Sequence, residues 1–82
     1  MPQENNINLS IVIPVFNEEK YLYKLFLDLK HYFNQKDVEV IIVNDGSNDD
    51  SYNILQKLKN NSYKFKYHLI NLKKNFGKGY AV

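Results

Sequence analysis

Three short stretches carry side chains that could do chemistry, and each follows an apolar run. Pro14-Val15-Phe16-Asn17-Glu18-Glu19 offers an amide and two carboxylates. Asn44-Asp45-Gly46-Ser47-Asn48-Asp49-Asp50 offers a carboxylate at a chain reversal, and Asn71 to Gly79 carries two glycines with Lys78 between them. The first stretch has no glycine, so it lacks the tight turn through which a dinucleotide-binding strand lets backbone approach a pyrophosphate. Its acceptors would repel phosphate and suit the hydroxyl or ring N–H donors of a ribose or a base. Asp45 stands beside Gly46, which reaches positive φ without steric cost and lets the chain turn while leaving the carboxylate open. A fixed acceptor there could select a ring with N–H donors at its polar edge, as uracil and guanine have. Gly77-Lys78-Gly79-Tyr80 is not a Walker A loop, which needs Gly, four residues, then Gly-Lys-Ser/Thr. Its backbone N–H groups and one ammonium could instead meet a diphosphate.

Each stretch also has a plainer structural reading. Asn17 fits a helix N-cap, with Glu18 and Glu19 in the first turn where they favour the macrodipole. Ser47 and Asp50 have capping-box spacing. Asp45-Gly46 is an ordinary turn pair, and Lys78 by default a solvated loop lysine. His31 and His68 have no second ligand at metal spacing and read as structural or exposed.

The elements that must position these residues follow from periodicity. Leu9 to Val15 is β-branched and apolar on both faces, a buried strand. From about Glu18 to Asn34 the apolar residues Leu22, Leu25, Phe26, Leu29 and Phe33 recur at spacings of three and four, an amphipathic helix. Val38 to Val43 is a nearly continuous apolar run, which predicts a strand covered on both faces of a parallel sheet. A shorter helix from about Asp49 to Asn60 turns Ile54, Leu55 and Leu58 inward. Lys64 to Leu72 alternates Lys66 and His68 with apolar residues, an edge strand with one wet face. Tyr80-Ala81-Val82 reads as the first turn of a third helix, and residues 1–8 as a loose polar tail before a unit spanning 9–82. The class is α/β, a β-α-β-α-β parallel sheet whose ligand would lie beyond the carboxyl ends of the strands, where all three stretches fall.

Composition narrows the classes of function. The 82 residues, 44% hydrophobic, make one small unit with no room for a second domain. Eleven lysines and no arginine face nine acids for a net charge of +2, and the lysines are scattered, so a nucleic-acid partner is not expected. With no cysteine there is no disulfide framework, thiolate metal cluster or cysteine nucleophile. No apolar run approaches the roughly 20 residues of a transmembrane helix. The polar start, with an acid at Glu4, lacks the pattern of a signal peptide, which predicts a cytoplasmic chain.

Taken in order, Leu9 to Glu19, Val43-Asn44-Asp45-Gly46-Ser47-Asn48-Asp49-Asp50-Ser51 and Asn75-Phe76-Gly77-Lys78-Gly79-Tyr80-Ala81 closely resemble the amino-terminal portion of family 2 glycosyltransferases. The resemblance implies a Rossmann-like GT-A fold, of which this chain would be the amino-terminal half, without the fourth and later strands. It implies binding of a UDP-sugar or GDP-sugar and inverting transfer to an acceptor hydroxyl. Pro14, Phe16, Asn17 and Glu18 would line the base and ribose pocket, Asp45 beside Gly46 would hydrogen-bond the base, and Lys78 would approach the diphosphate. Family members hold a divalent cation, Mn or Mg, with an Asp-x-Asp motif after the next strand, and a general base lies further on. Neither is found in these 82 residues, so no catalytic or metal-binding residue is assigned and the chain alone is expected not to turn over. A non-catalytic nucleotide-binding or partner-docking module, and a remnant that binds nothing, are the competing readings.

In the strand order 3-2-1-4, strand one would be bared wherever a fourth strand is lacking, with Ile11 and Ile13 facing solvent. Self-association through that edge is the expected result.

Overall fold

The computed structural model describes residues 6–72. It contains β1 (Leu9–Val15), α1 (Leu22–Tyr32), β2 (Val38–Asp45), α2 (Ser51–Leu58) and β3 (Lys66–Leu72). The strands form one parallel sheet in the order β1-β2-β3. This is the α/β, Rossmann-like arrangement that the alternation of periods implies. The third helix start and Lys78 lie outside the described residues.

The two crossovers step across the sheet in the same direction, and right-handed connections that do so must place both helices on one face. Leu22, Phe26 and Leu29 of α1 and Ile54, Leu55 and Leu58 of α2 accordingly close over Val38, Val40 and Ile42 of β2. Side chains this well buried contribute about 1.5–3 kcal/mol each. The expectation that β2 is covered on both faces does not hold among the described residues. Its side chains alternate between buried and half-buried, with Glu39, Ile41 and Val43 on the face that neither helix reaches.

Ile11 and Ile13 also differ from expectation. They are half-buried against the core, whereas Val12 between them is 61% exposed. An edge strand leaves its backbone groups unpaired, but its side chains still alternate between the helix-covered face and the open one.

Both helices start later than periodicity implies. The Tyr21 N–H donates to the Glu18 carbonyl at 2.9 Å, so residues 18–21 form a turn and α1 begins at Leu22. The last four carbonyls of α2, which have no partner within the helix, are all satisfied. Tyr67 Oη donates to Leu55, the N–H groups of Lys59 and Asn60 to Gln56 and Lys57, and Asn61 N–H with Tyr63 Oη to Leu58. The aromatic residues of α1 and the β3 region meet beneath this end, with the Phe26 ring 5.2 Å from Tyr67 and 5.9 Å from Tyr63.

Candidate functional site

Parallel strands in this register end together. Val15 lies level with Asn44, and Asp45 with Leu72, so the segments after β1 and β2 share one rim with the end of β3. The first two are interlocked. Asn17 has φ of 52°, a left-handed conformation that Asn tolerates better than most residues. That turn sends its Oδ1 across to accept the backbone N–H groups of Asn48 at 2.7 Å and Asp49 at 3.3 Å. Its own N–H donates to Ser47 Oγ at 3.0 Å. Glu18 N–H donates to Ser51 Oγ at 3.0 Å, and Glu19 N–H to Asp49 Oδ2 at 3.2 Å. In the other direction Asp50 N–H donates to Glu19 Oε1 at 2.7 Å.

These bonds correct two capping assignments. Asn17 does not cap α1, whose N-cap is Tyr21 without a side-chain hydrogen bond. Ser47 and Asp50 do not form a capping box either. Ser47 lies four residues before α2, and its hydroxyl instead joins Asn17 to Asn44 Oδ1 at 2.6 Å. Spacing along the chain offered local partners, but the neighbouring strand end brought closer ones. The start of α2 is held by Asp49, whose Oδ1 accepts Ser51 N–H at 2.9 Å. Desolvation pushes the Asp49 pKa up, but hydrogen bonds from Ser51 and from the Glu19 N–H outweigh it, and the carboxyl is held below its ordinary range.

The residues named from sequence divide between frame and presentation. Asn17 is largely frame. Gly46, with φ of 71°, makes the turn that carries the chain away from β2. Asp45, Phe16, Glu18 and Pro14 stand exposed on the rim. Among the described residues the Asp45 and Glu18 carboxylates accept no hydrogen bond and join no ion pair, in contrast to Asp49 and Glu19 a few residues away. Pro14 and Glu18 also line a pocket of about 220 Å³ with Ile13, Val15, Tyr21, Leu22 and Leu25. Its lining is apolar apart from Glu18 and the Tyr21 hydroxyl.

A model of glycosyl transferase family 2 matches residues 10–82, nearly the whole chain. The chain belongs to that family. It is 32% identical to a dolichyl-phosphate beta-glucosyltransferase of Dictyostelium discoideum over 95% of its length. It is 40% identical over 93% to an uncharacterized glycosyltransferase of Synechocystis, and 35% over 94% to one of Bacillus subtilis. It spans only about a quarter of these relatives, 26%, 24% and 24% respectively. No solved structure matches it.

The divalent cation expected of a family 2 transferase does not fit the residues described. No group of three or more His, Asp or Glu side chains gathers among them. Asp49 has both oxygens engaged by backbone N–H groups, and Asp50 Oδ1 accepts from Asn53 Nδ2 at 2.9 Å. No helix of the described residues is long and apolar enough to cross a membrane.

Three residues that matter at this rim escaped the sequence reading. Ser51 is fully buried and receives Glu18, Asn44 is 4% exposed, and Asn71 accepts from Asn44 Nδ2 at 2.9 Å. A signal was present for two of them. Asn44 closes a Val-Ile-Ile-Val run, and Ser51 sits three residues before Ile54 on the inward stripe of α2, where an unpartnered polar group would be costly.

Proposed function

We propose that this chain is the donor-binding portion of a family 2 glycosyltransferase. It grips a nucleoside-diphosphate sugar, with UDP or GDP as carrier, for inverting transfer to an acceptor hydroxyl by groups of a longer protein. Asp45 accepts a ring N–H of the base. Pro14 and Phe16 supply apolar surface beside it, and Glu18 and the Asn17 Nδ2 group receive and donate hydrogen bonds at the ribose. Lys78 offers its ammonium to the diphosphate. A divalent cation, where the longer protein uses one, supplies further charge neutralisation at the diphosphate and draws its ligands from beyond these residues. The cytoplasm, where nucleotide sugars are plentiful, is the compartment this reading implies.

One observation carries the reading. At the shared rim, Asn17 Oδ1, Ser47, Asp49 and Ser51 are consumed in joining two loops, while among the described residues the Asp45 and Glu18 carboxylates are left as exposed, unpartnered acceptors. Exposed acceptors on a rigid frame are what recognition of a base and ribose requires, since the ordering cost is met before the ligand arrives. Calorimetry of the full chain with UDP, GDP and their sugars, with and without manganese, tests it. Asp45→Ala is expected to weaken nucleotide binding about 10- to 100-fold, the loss of a hydrogen bond to a charged acceptor. Unchanged affinity in that variant would remove Asp45 from the site.

A further inference from the structure

Glu18 and Asp45 stand on different loops, and the strand ladder does not set one against the other. Pairing of β1 with β2 ends at Val15 and Asn44. Beyond it, among the described residues, no backbone–backbone hydrogen bond joins residues 16–20 to residues 45–50. Asp45 is placed by its own strand, level with Leu72. Glu18 is placed by its two peptide groups. Its carbonyl accepts the Tyr21 N–H at 2.9 Å, a bond within its own turn that fixes conformation but not position. Its N–H donates to Ser51 Oγ at 3.0 Å, and this is the bond that reaches across to the other loop.

Ser51 is a firm anchor for such a bond. It opens α2, its own N–H donates to Asp49 Oδ1 at 2.9 Å, and it is fully buried. The helix in turn is fixed on the core through Ile54, Leu55 and Leu58. The void left by deleting one buried hydroxyl oxygen is too small to hold a water, so nothing would replace Ser51 Oγ as acceptor. The Glu18 N–H would then find a partner only by moving outward to solvent, and the carboxylate would move with it.

We infer that Ser51 is a positioning residue that holds the Glu18 carboxylate within reach of a ribose whose base is bound by Asp45. The inference rests on the nucleotide-binding reading above and goes beyond it, because it makes a buried serine that touches no ligand responsible for the preference for ribose hydroxyls. A 2′,3′-dideoxy analogue keeps the base and the diphosphate and loses only those hydroxyls. The ratio of affinities between a ribonucleotide and its dideoxy analogue therefore reads the ribose contacts with the other contributions cancelled.

The test is calorimetry on the full chain with UDP and GDP, each beside its 2′,3′-dideoxy analogue. Ser51→Ala is expected to leave affinity for the dideoxy analogue within about twofold and to lower the ratio about fivefold, the effect of one hydrogen bond. Ser51→Thr keeps the hydroxyl but adds a methyl group to a fully buried site, so it should lower the melting temperature and keep the ratio. A merely structural role would make the ratio insensitive to the hydroxyl and move both affinities with the melting temperature. Ser51→Cys, near serine in volume and a weaker acceptor, should give an intermediate ratio and covers the case in which alanine disturbs folding. Glu18→Ala should lower the ratio at least as far as Ser51→Ala. Adding Ser51→Ala to it should lower the ratio no further, since the serine acts through the glutamate. Equal losses for both ligands in Ser51→Ala, an unchanged ratio, or a further drop in the double variant would overturn the inference while leaving the site reading intact. A wild-type chain that binds neither UDP nor GDP, or does not distinguish them from their dideoxy analogues, would instead overturn the site reading, and this inference with it.

Discussion

Asp49 accepts the backbone N–H of Glu19 at 3.2 Å, across 30 residues of sequence, while its other oxygen takes that of Ser51 at 2.9 Å. One carboxylate therefore ties the segment leading into α1 to the start of α2. Because these bonds favour the charged form, the folded pKa lies below the usual value of 3.8.

A depressed carboxylate pKa means that the unfolded state binds the proton more readily. The stability contributed by Asp49 is fully present above the ordinary carboxylate range and lost as pH falls through its lowered value. Asp49→Asn keeps an acceptor but not the charge. The difference in urea midpoint between wild type and this variant is expected to be clear at pH 6 and smaller at pH 3. A difference that stays constant between the two would assign no part of the acid response to Asp49.

Asn17 combines a left-handed backbone with two accepted hydrogen bonds. Asn17→Ala loses both bonds and leaves a Cβ in a conformation that alanine tolerates less well than asparagine, about 2–3 kcal/mol in all. Asn17→Gly loses the bonds but relieves the backbone and should be milder by about 1 kcal/mol. Denaturant unfolding of the two variants checks the order, and an alanine variant as stable as the glycine one would contradict the conformation.

Tyr67 and Tyr63 make similar hydroxyl bonds to α2 but should not matter equally. The Leu55 carbonyl receives the Tyr67 hydroxyl at 3.1 Å, whereas the Leu58 carbonyl receives both Tyr63 Oη at 2.9 Å and Asn61 N–H at 3.3 Å. Tyr67→Phe is expected to cost about 1 kcal/mol and Tyr63→Phe less, because only the first removes a carbonyl's side-chain donor without leaving a second one. Burial, with Tyr63 close by, pushes the Tyr67 pKa up. Its phenol should therefore titrate above the ordinary tyrosine range in an ultraviolet pH titration.

Strand β1 pairs only with β2 among the described residues, and Val12 stands 61% exposed on its open face. The 82-residue chain is expected to self-associate through that edge, and Val12→Lys to suppress it, since a charged side chain disfavours strand addition. Sedimentation velocity across a range of concentrations measures both. A monodisperse wild-type monomer would remove the edge as an association site.

Most of the architecture was legible from side-chain type and period. Leu9 to Val15 is a strand with those bounds, and the spacing of Leu22, Phe26 and Leu29 marks the stripe that α1 buries. Helix starts were not legible, because Asn17, Ser47 and Asp50 have the residue types of caps at plausible spacings. What decided against them was the arrival of another loop, which sequence neighbours do not report. Nor did the apolar run of β2 reveal that one of its faces lies away from both helices, since Ile41 and Val43 look the same in sequence as Val40 and Ile42.

The sequence by itself determined the α/β class, the rim at the carboxyl ends of the strands where the first two polar stretches fall and the family to which the chain belongs, because periodicity and short motifs are local properties. Only the tertiary structure decided which polar residues on that rim hold the frame and which face outward. Asn17, Asp49 and Glu18 have similar polar side chains, and the first two are bound into the frame because parallel pairing of β1 with β2 places residues about 30 apart within hydrogen-bond reach.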